Sequence, residues 1–320
     1  MALHQASGRW KLGLAMALVT AVSWATLPVA LKITLEQLDP YTLTWIRFVF
    51  AAACMCAWLG ARKGFGSFRG LDRKRWALLG VAALGLIGNY LFYLLGVQHT
   101  TPGNAQLLIQ LAPLLMALGG IFIFRERYRF AQWLGLAVIA GGLAMFFRDQ
   151  VASADSRAGY ALGSALIVVA AIVWAIYALL QKQLLTRLSS AAIQMFIYTL
   201  AALLLLPLAQ PRTLLALDAR HAWLLGFCAV NTLVAYGAFA EALAHWQASR
   251  VSAILAITPL MSLAVIAAVH ALWPASIAAE RIGAPGYLGA VLVVVGSGMC
   301  SLLGNANAKA GASLPAQEPA

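Results

Sequence analysis

Charged residues are scarce in this sequence. Only 10% of its 320 residues are Asp, Glu, Lys or Arg, whereas 62% are hydrophobic. A soluble domain usually carries about a quarter charged residues, and its surface helices need polar faces. Here the apolar runs have the length of membrane spans, about 20 residues each. The scarcity of charge excludes a soluble helical domain and predicts an all-α polytopic membrane protein.

Acidic residues are the scarcest charged type, with ten against 22 basic ones. Only Glu241 falls within a predicted span, near its end. A proton-driven carrier commonly has a carboxylate in mid-membrane, so the sequence does not support proton coupling. The net charge of +12 arises in short links between apolar runs. That is the positive-inside pattern and not a nucleic-acid-binding stripe, so we expect no nucleic-acid partner.

Motifs for catalysis, metal binding and redox chemistry are also missing. The four cysteines form no CxxC and lie in apolar runs, where they read as small packing residues. The sequence contains no HExxH, no GxSxG and no nucleotide-binding P-loop. We therefore expect no enzymatic activity, no cofactor and no metal site.

The sequence does contain apolar runs that predict ten membrane spans. The first follows Arg9 and Lys11 and is too long for a signal-peptide core of about 7–15 residues, so we expect it to be retained. Residues 304–320 have the composition of a disordered tail. The predicted spans are 12–34, 42–60, 76–97, 103–124, 131–147, 159–181, 190–208, 222–243, 250–272 and 285–303.

The chain also repeats itself. Tyr236 lies 146 residues after Tyr90, and Trp174 lies 150 after Trp24. The same order is kept by His99 and His245, Pro113 and Pro259, Lys32 and Lys182, and Glu126-Arg127 and Glu280-Arg281. This predicts a duplicated unit of about 150 residues, over 12–147 and 159–303. Because five spans per unit is an odd number, the second copy enters the membrane from the opposite side, as in the inverted repeats of secondary transporters.

The distribution of basic residues predicts the orientation. With the N-terminus inside, fifteen of the 22 Lys and Arg residues fall in inner segments and six in outer ones, while Arg47 lies inside the second span. This bias predicts that both termini are cytoplasmic. It is strong in the first half of the chain and thin in the second.

Each unit has a Tyr- or Phe-rich third helix, a short turn, a Pro-centred fourth helix and a Glu-Arg link. This order resembles the EamA domain of the drug/metabolite transporter superfamily, over about 12–303. The paired tryptophans and the aromatic third and eighth helices resemble the YddG-type exporters of aromatic amino acids. The sequence departs from the family pattern at Arg125-Glu126 and by eight extra residues before Glu280. The resemblance implies a carrier of the bacterial inner membrane.

Trp24 and Trp174 fall near the bilayer centre, although tryptophan usually prefers the interface. This pair predicts an aromatic cavity lining, and helix packing is the alternative interpretation. Four further aromatic residues lie at i and i+3 on the third and eighth spans, where they predict an outer and an inner gate or else core packing. They are Tyr90, Tyr93, Tyr236 and Phe239.

Polar residues within spans are costly unless they line a cavity or find partners. The substrate-binding candidates of this type, whose alternative role is interhelical packing, are Asn89, Gln106, Gln110, Asn231 and Thr258. Pro28, Pro113 and Pro259 free backbone carbonyls or bend helices, so they are gating candidates. Lys32 and Lys182 end the first and sixth spans. We expect their side chains either to extend their charges to the membrane surface or to hold a gate closed.

These features predict a carrier that works by alternating access and exports neutral or zwitterionic solutes with large apolar side chains. A nucleotide sugar would enter this pocket without a charge partner at considerable cost. The alternatives are another metabolite class within the superfamily, a proton-coupled exporter, and a channel, which needs a continuous polar lining. The expected partners are a small-molecule substrate and the lipid bilayer, and the sequence does not predict an oligomeric state.

Overall fold

The computed structural model describes residues 9–62, 68–124, 128–153, 157–185, 187–245, 251 and 254–302. The predicted tail over 304–320 and the Glu126-Arg127 link lie outside the described residues. The helices are α1 (Trp10–Thr34), α2 (Pro40–Ala61), α3 (Arg73–His99), α4 (Pro102–Leu108), α5 (Leu111–Phe124), α6 (Phe130–Ser153), α7 (Arg157–Leu184), α8 (Ser190–Leu205), α9 (Ala219–His245), α10 (Thr258–Leu272) and α11 (Ala284–Leu302). A 3-10 helix covers Pro211–Ala216.

Six of these helices are long and apolar enough to cross a membrane, namely α1, α2, α3, α6, α7 and α9. The helix α1 has 25 residues, and at about 1.5 Å per residue it exceeds the hydrocarbon core of about 30 Å. Shorter apolar helices include α8, α10 and α11. Many large apolar side chains point outward, such as Val22 at 50% exposure and Leu84 at 59%. Such a surface fits lipid and would be a liability in water.

Two helices start at equivalent points of the repeat. The Asp39 carboxylate accepts the N–H groups of Tyr41 and Thr42 at 2.9 and 3.0 Å, and Pro40 follows it at the first helical position of α2. The Ser189 hydroxyl accepts the N–H of Ala192 at 3.2 Å and so caps α8. These side chains satisfy donors that helix starts leave unpaired. Because Ser189 lies 150 residues after Asp39, α2 and α8 begin in register with each other.

Within the predicted spans 103–124 and 250–272 the structure contains helix interruptions. The first is interrupted between α4 and α5 at residues 109–110, and in the second a turn at residues 256–257 precedes α10. Each turn shortly precedes a proline, which has no N–H to donate to the preceding turn. Bonds between residues three apart appear instead, from Ala112 N–H to the Ile109 carbonyl at 2.9 Å and from Ile257 N–H to the Ile254 carbonyl at 3.2 Å.

The helices pack as extensive pairs, chiefly α6 with α11, α3 with α7, α1 with α9 and α2 with α8. The helices α3 and α7 are the third and sixth predicted spans, and their equivalents in the other copy of the repeat are the eighth and first spans, α9 and α1. The α3–α7 and α1–α9 pairs are therefore related by the repeat. Polar contacts at these two crossings involve equivalent positions. The Asn89 amide donates to the Ala170 carbonyl at 3.0 Å. The Thr20 hydroxyl, whose closer acceptor is the Met16 carbonyl at 2.9 Å, lies 3.4 Å from the Ala235 carbonyl.

Candidate substrate site

Aromatic side chains from both halves of the chain meet where α1 crosses α9. The Trp24 ring centroid lies 5.9 Å from that of Tyr236 in an edge-to-face arrangement, and 5.8 Å from that of Phe239. All three side chains are half-buried. Edge-to-face and tilted rings at this separation attract one another through their quadrupoles. The structure therefore brings together three of the aromatic residues predicted from the sequence.

Two of the three other aromatic candidates, Tyr90 and Trp174, join this group through Tyr236. Their side chains lie close enough to the Tyr236 hydroxyl to act on it. The Tyr90 ring packs on Phe48, with centroids 4.7 Å apart, and Trp174 packs on Tyr177 at 6.4 Å. Tyr90 and Tyr236, which were predicted to belong to opposite gates, are thus neighbours. We call the six residues Trp24, Phe48, Tyr90, Trp174, Tyr236 and Phe239 the aromatic cluster.

Arg47 on α2 lies against this cluster. Its side chain is buried, with 4% of the residue exposed, and its guanidinium carbon lies 5.0 Å from the Tyr90 ring centroid. The Arg47 Nε donates to the Thr232 hydroxyl on α9 at 3.2 Å. No Asp or Glu of the described residues is within ion-pair distance of it. Sequence reasoning left Arg47 out of the candidate site, although a lone arginine inside an apolar run was a usable signal.

The polar candidates divide into two groups. Asn89 and Asn231 are buried and bind backbone carbonyls across helix crossings, with the Asn231 amide donating to the Ser23 carbonyl at 2.9 Å. The Asn231 amide oxygen is buried and has no hydrogen-bond partner among the residues that the structure describes, and Asn231 adjoins Thr232 on α9. These contacts hold the helices together next to Trp24, and they leave one acceptor free beside the cluster.

The second group lies at the helix interruptions. The Tyr93 hydroxyl donates to the Gln106 amide oxygen at 3.5 Å, while Gln110 is half-buried in the turn between α4 and α5. Thr258 is buried at the start of α10, and its hydroxyl has no partner within the described residues.

Of the gating candidates, Lys32 has the clearest surroundings. Its ammonium donates to the carbonyls of Val97, Gln98 and Thr100 at 2.7, 3.0 and 2.7 Å, and so caps the end of α3. Pro28 is buried within α1, and Pro259 is buried at the start of α10. Lys182 and Pro113 belong to α7 and α5, but their side chains lie outside the described residues.

Glu280 reaches the same end of the helix bundle from the link before α11. Its carboxylate accepts the Gly103 N–H at 2.8 Å, at the start of α4, and Lys32 contributes a favourable charge interaction. Burial nevertheless raises the pKa of Glu280 above its usual value, and it outweighs the hydrogen bond from Gly103 and the charge of Lys32. Sequence reasoning placed this residue in an outer link and did not anticipate its burial.

A second polar network ties the α1–α2 link to the start of α9. The His221 ring lies between two carboxylates, with Nδ1 2.8 Å from Asp218 and Nε2 3.3 Å from Glu36. The backbone N–H of His221, followed by its side chain, lowers the pKa of Asp218 to about 2. The two networks fasten the same end of the bundle, where α1 and α3 end and where α4 and α9 begin.

Comparison with known proteins identifies the family of this chain. A model of the EamA-like transporter family matches the chain twice, over residues 11–148 and 161–302. The chain belongs to the EamA-like transporter family. It is a membrane transporter, as are its named relatives. It is 38% identical to the uncharacterized inner membrane transporter YhbE of Escherichia coli K12, over 92% of each chain.

More distant relatives of the EamA-like family carry functional names. The chain is 23% identical to a probable amino-acid metabolite efflux pump of Escherichia coli K12, over 88% of this chain and 92% of the relative. It is 28% identical to a probable terminal-alkyne amino-acid exporter of Streptantibioticus cattleyicolor, over 59% of this chain and 61% of the relative. A solved crystal structure matches with a TM-score of 0.63 at 19% identity, covering 94% of this chain and 98% of that one, which supports the fold alone.

Proposed function

We propose that this EamA-like transporter exports amino acids, or similar zwitterionic metabolites with large apolar side chains, across the bacterial inner membrane. The observation that carries the proposal is the convergence of Trp24 and Trp174 on Tyr236. Half-buried aromatic rings in mid-membrane form an apolar recognition surface with few polar handles, as ligand sites for such side chains require. The names of the two distant relatives point to the same solute class.

The proposed architecture is ten membrane spans in two inverted five-helix repeats. Its support is the double family match, the exchange-related helix pairs and the equivalent crossings at Asn89 and Thr20. In this architecture the substrate site lies between the repeats near the bilayer midplane. The aromatic cluster takes residues from both repeats, so rocking of one repeat against the other would open it to either side.

The networks around Lys32 and His221 close one end of the bundle in this conformation. Alternating access requires that this end open, so we propose Lys32 as part of the gate. We propose export down the solute gradient without an obligatory coupling ion. One observation favours a second candidate, a proton-coupled exporter, because Glu280 is a buried carboxylate with a raised pKa in the same network.

The test is counterflow in proteoliposomes with labelled Phe. Saturable uptake, inhibited by unlabelled Trp, Met and Leu, supports the amino-acid proposal. Competition by nucleotide sugars, without competition by apolar amino acids, would assign the chain to another branch of the superfamily. Imposing a pH gradient of either sign separates the two coupling modes, because only a proton-coupled exporter accumulates Phe against its own gradient.

A further inference from the structure

We propose that the Arg47 guanidinium binds the carboxylate of the transported solute. This inference rests on the proposed function in taking the aromatic cluster as the substrate site. It adds the chemical group that the solute must carry, namely one carboxylate.

The Arg47 guanidinium has hydrogen-bond donors that the described residues do not use. The Thr232 hydroxyl donates to the Cys228 carbonyl at 2.9 Å, so its oxygen is the acceptor for Arg47 Nε. That bond uses one of the five N–H donors of a guanidinium. The remaining donors form a planar fork, and a carboxylate matches this fork with two parallel bonds. A cation buried with one hydrogen bond and no counter-charge among the described residues lacks the partner that buried charges require.

Arg47 lies where the two halves of the chain meet. Arg47 belongs to the first half of the chain, and its bonded neighbour Thr232 belongs to the second. Its charge also acts on the hydroxyls of Tyr90 and Tyr236. A carboxylate bound at Arg47 would therefore place the rest of the solute among the rings of the aromatic cluster. The free amide oxygen of Asn231, adjacent to Thr232 in sequence, is an acceptor of the kind that a substrate ammonium needs.

The position equivalent to Arg47 in the second copy of the repeat is apolar. At the offset of 150 residues, Phe48 corresponds to Tyr198 and Arg47 corresponds to Ile197. Phe48 and Tyr198 stack on each other at 5.7 Å, and Ile197 is fully buried in the same core. An apolar side chain thus satisfies packing at the equivalent position. Replacing a buried ion by a packed apolar residue is often neutral or stabilising, so packing alone does not explain the cation.

The first experiment varies the ligand on the unmodified protein. Counterflow of labelled Phe is measured at pH 7 with Phe, phenylalaninamide or 3-phenylpropionate as competitor. The amide lacks the carboxylate charge, whereas 3-phenylpropionate keeps it and lacks the ammonium. Because a hydrogen bond to a charged group is lost, phenylalaninamide should compete about 10- to 100-fold less well than Phe. Equal competition by Phe and its amide would overturn the proposal.

The second experiment varies Arg47. In Arg47→Gln the preference for Phe over phenylalaninamide should fall to within about twofold, and Arg47→Lys should keep part of it because the charge remains. The matched control is Arg62→Gln directly after the end of the same helix, since Arg62 also lies over an aromatic ring, at 4.2 Å from Trp58, but is exposed. The control should keep the full preference. An Arg47→Gln variant that transports normally with an unchanged preference would refute the assignment.

The third experiment does not depend on amino-acid transport. Thermal unfolding in detergent is followed with 3-phenylpropionate or 3-phenylpropanamide added to the unmodified protein and to Arg47→Met. Stabilisation by the acid alone, and only with Arg47 present, supports the carboxylate site even if Phe is not transported. Equal shifts from acid and amide, no shift from either, or an acid shift that survives in Arg47→Met would each contradict the site. A lower melting temperature of ligand-free Arg47→Met would instead assign Arg47 to packing.

Discussion

Gly142 on α6 and Gly289 on α11 bring two helix backbones into direct contact. A Cβ placed on Gly142 would lie 2.6 Å from the Gly289 carbonyl oxygen, and one placed on Gly289 would lie 2.5 Å from the Gly142 carbonyl oxygen. Gly135 and Gly296 meet in the same reciprocal way. Small residues let membrane helices approach closely without a hydrophobic driving force, so the α6–α11 pair is a scaffold held by glycine contacts.

We therefore expect Gly142→Leu to lower the melting temperature and the folded yield. Its side chain has no space against backbone atoms, and overpacking costs about 1–3 kcal/mol. The neighbouring Gly141→Leu is a matched control, because nothing lies within 4 Å of a Cβ at Gly141. It should fold normally. Equal yields and melting temperatures for the two variants, measured by size-exclusion chromatography and thermal unfolding, would contradict the close helix contact.

The sequence predicted the composition of the aromatic cluster better than its geometry. Repeated Trp and Tyr residues identified Trp24, Tyr90 and Tyr236, because matched aromatic residues are improbable in a random apolar chain. They did not predict that Tyr90 and Tyr236 are neighbours, since this depends on how far each helix is rotated. In membrane helices both the lipid face and the core face are apolar, so periodicity does not reveal the rotation.

Contacts between distant segments explain the other differences. The partners of Arg47 and Lys32 lie on other helices, with the Arg47–Thr232 bond spanning 185 residues of sequence. A lysine at a helix end is compatible with snorkelling or with capping a neighbouring helix, and only the structure identifies the carbonyls of Val97, Gln98 and Thr100 as its acceptors. The interruption near Gln110 was partly predictable, because Pro113 follows within one turn.

The orientation can be tested directly. The bias of basic residues predicts cytoplasmic termini, and an odd number of spans per repeat places the link between the repeats outside. Reporter fusions placed after Leu303 and after Ala154 should therefore report opposite sides of the membrane. A fusion after Arg187, in the link between α7 and α8, should report the cytoplasmic side. Matching signals from the first two fusions would contradict the inverted repeat.

The two central tryptophans should contribute to transport more than to folding. We expect Trp24→Ala and Trp174→Ala to reduce Phe counterflow several-fold, since an aromatic contact contributes about 0.5–1.5 kcal/mol beyond the buried area. Trp223→Ala is the control, because Trp223 is 81% exposed. Rates are normalised to folded protein in the liposomes. Reduced yield and melting temperature, with normal transport by the surviving protein, would assign both tryptophans to helix packing.

Glu280 should make stability depend on pH. Burial raises its pKa, so the folded state favours the protonated form. This stabilising contribution is complete below the ordinary glutamate pKa of 4.5 and is lost as pH rises through the higher folded-state pKa. The melting temperature should therefore fall less between pH 5 and pH 8 in Glu280→Gln than in the unmodified protein. Glu318→Gln is the control for the substitution itself. An identical pH profile for Glu280→Gln and the unmodified protein would contradict this effect.

The last prediction concerns the charge of the solute. Arg47, the one charged residue that the sequence placed deep in a span, is a buried cation beside the aromatic cluster. One guanidinium can neutralise one carboxylate, and burying a further unpaired negative charge is expensive. Solutes with one carboxylate should therefore be accepted, whereas those with two or more negative charges should be rejected. In Phe counterflow we expect Phe, Trp and Leu to compete, and we expect phosphotyrosine and glucose 6-phosphate not to compete at equal concentration. Tyrosine is the matched control for phosphotyrosine, since the two differ only by the phosphate. Competition by phosphotyrosine as strong as that by tyrosine would require a second cation at the site and would contradict recognition by Arg47 alone.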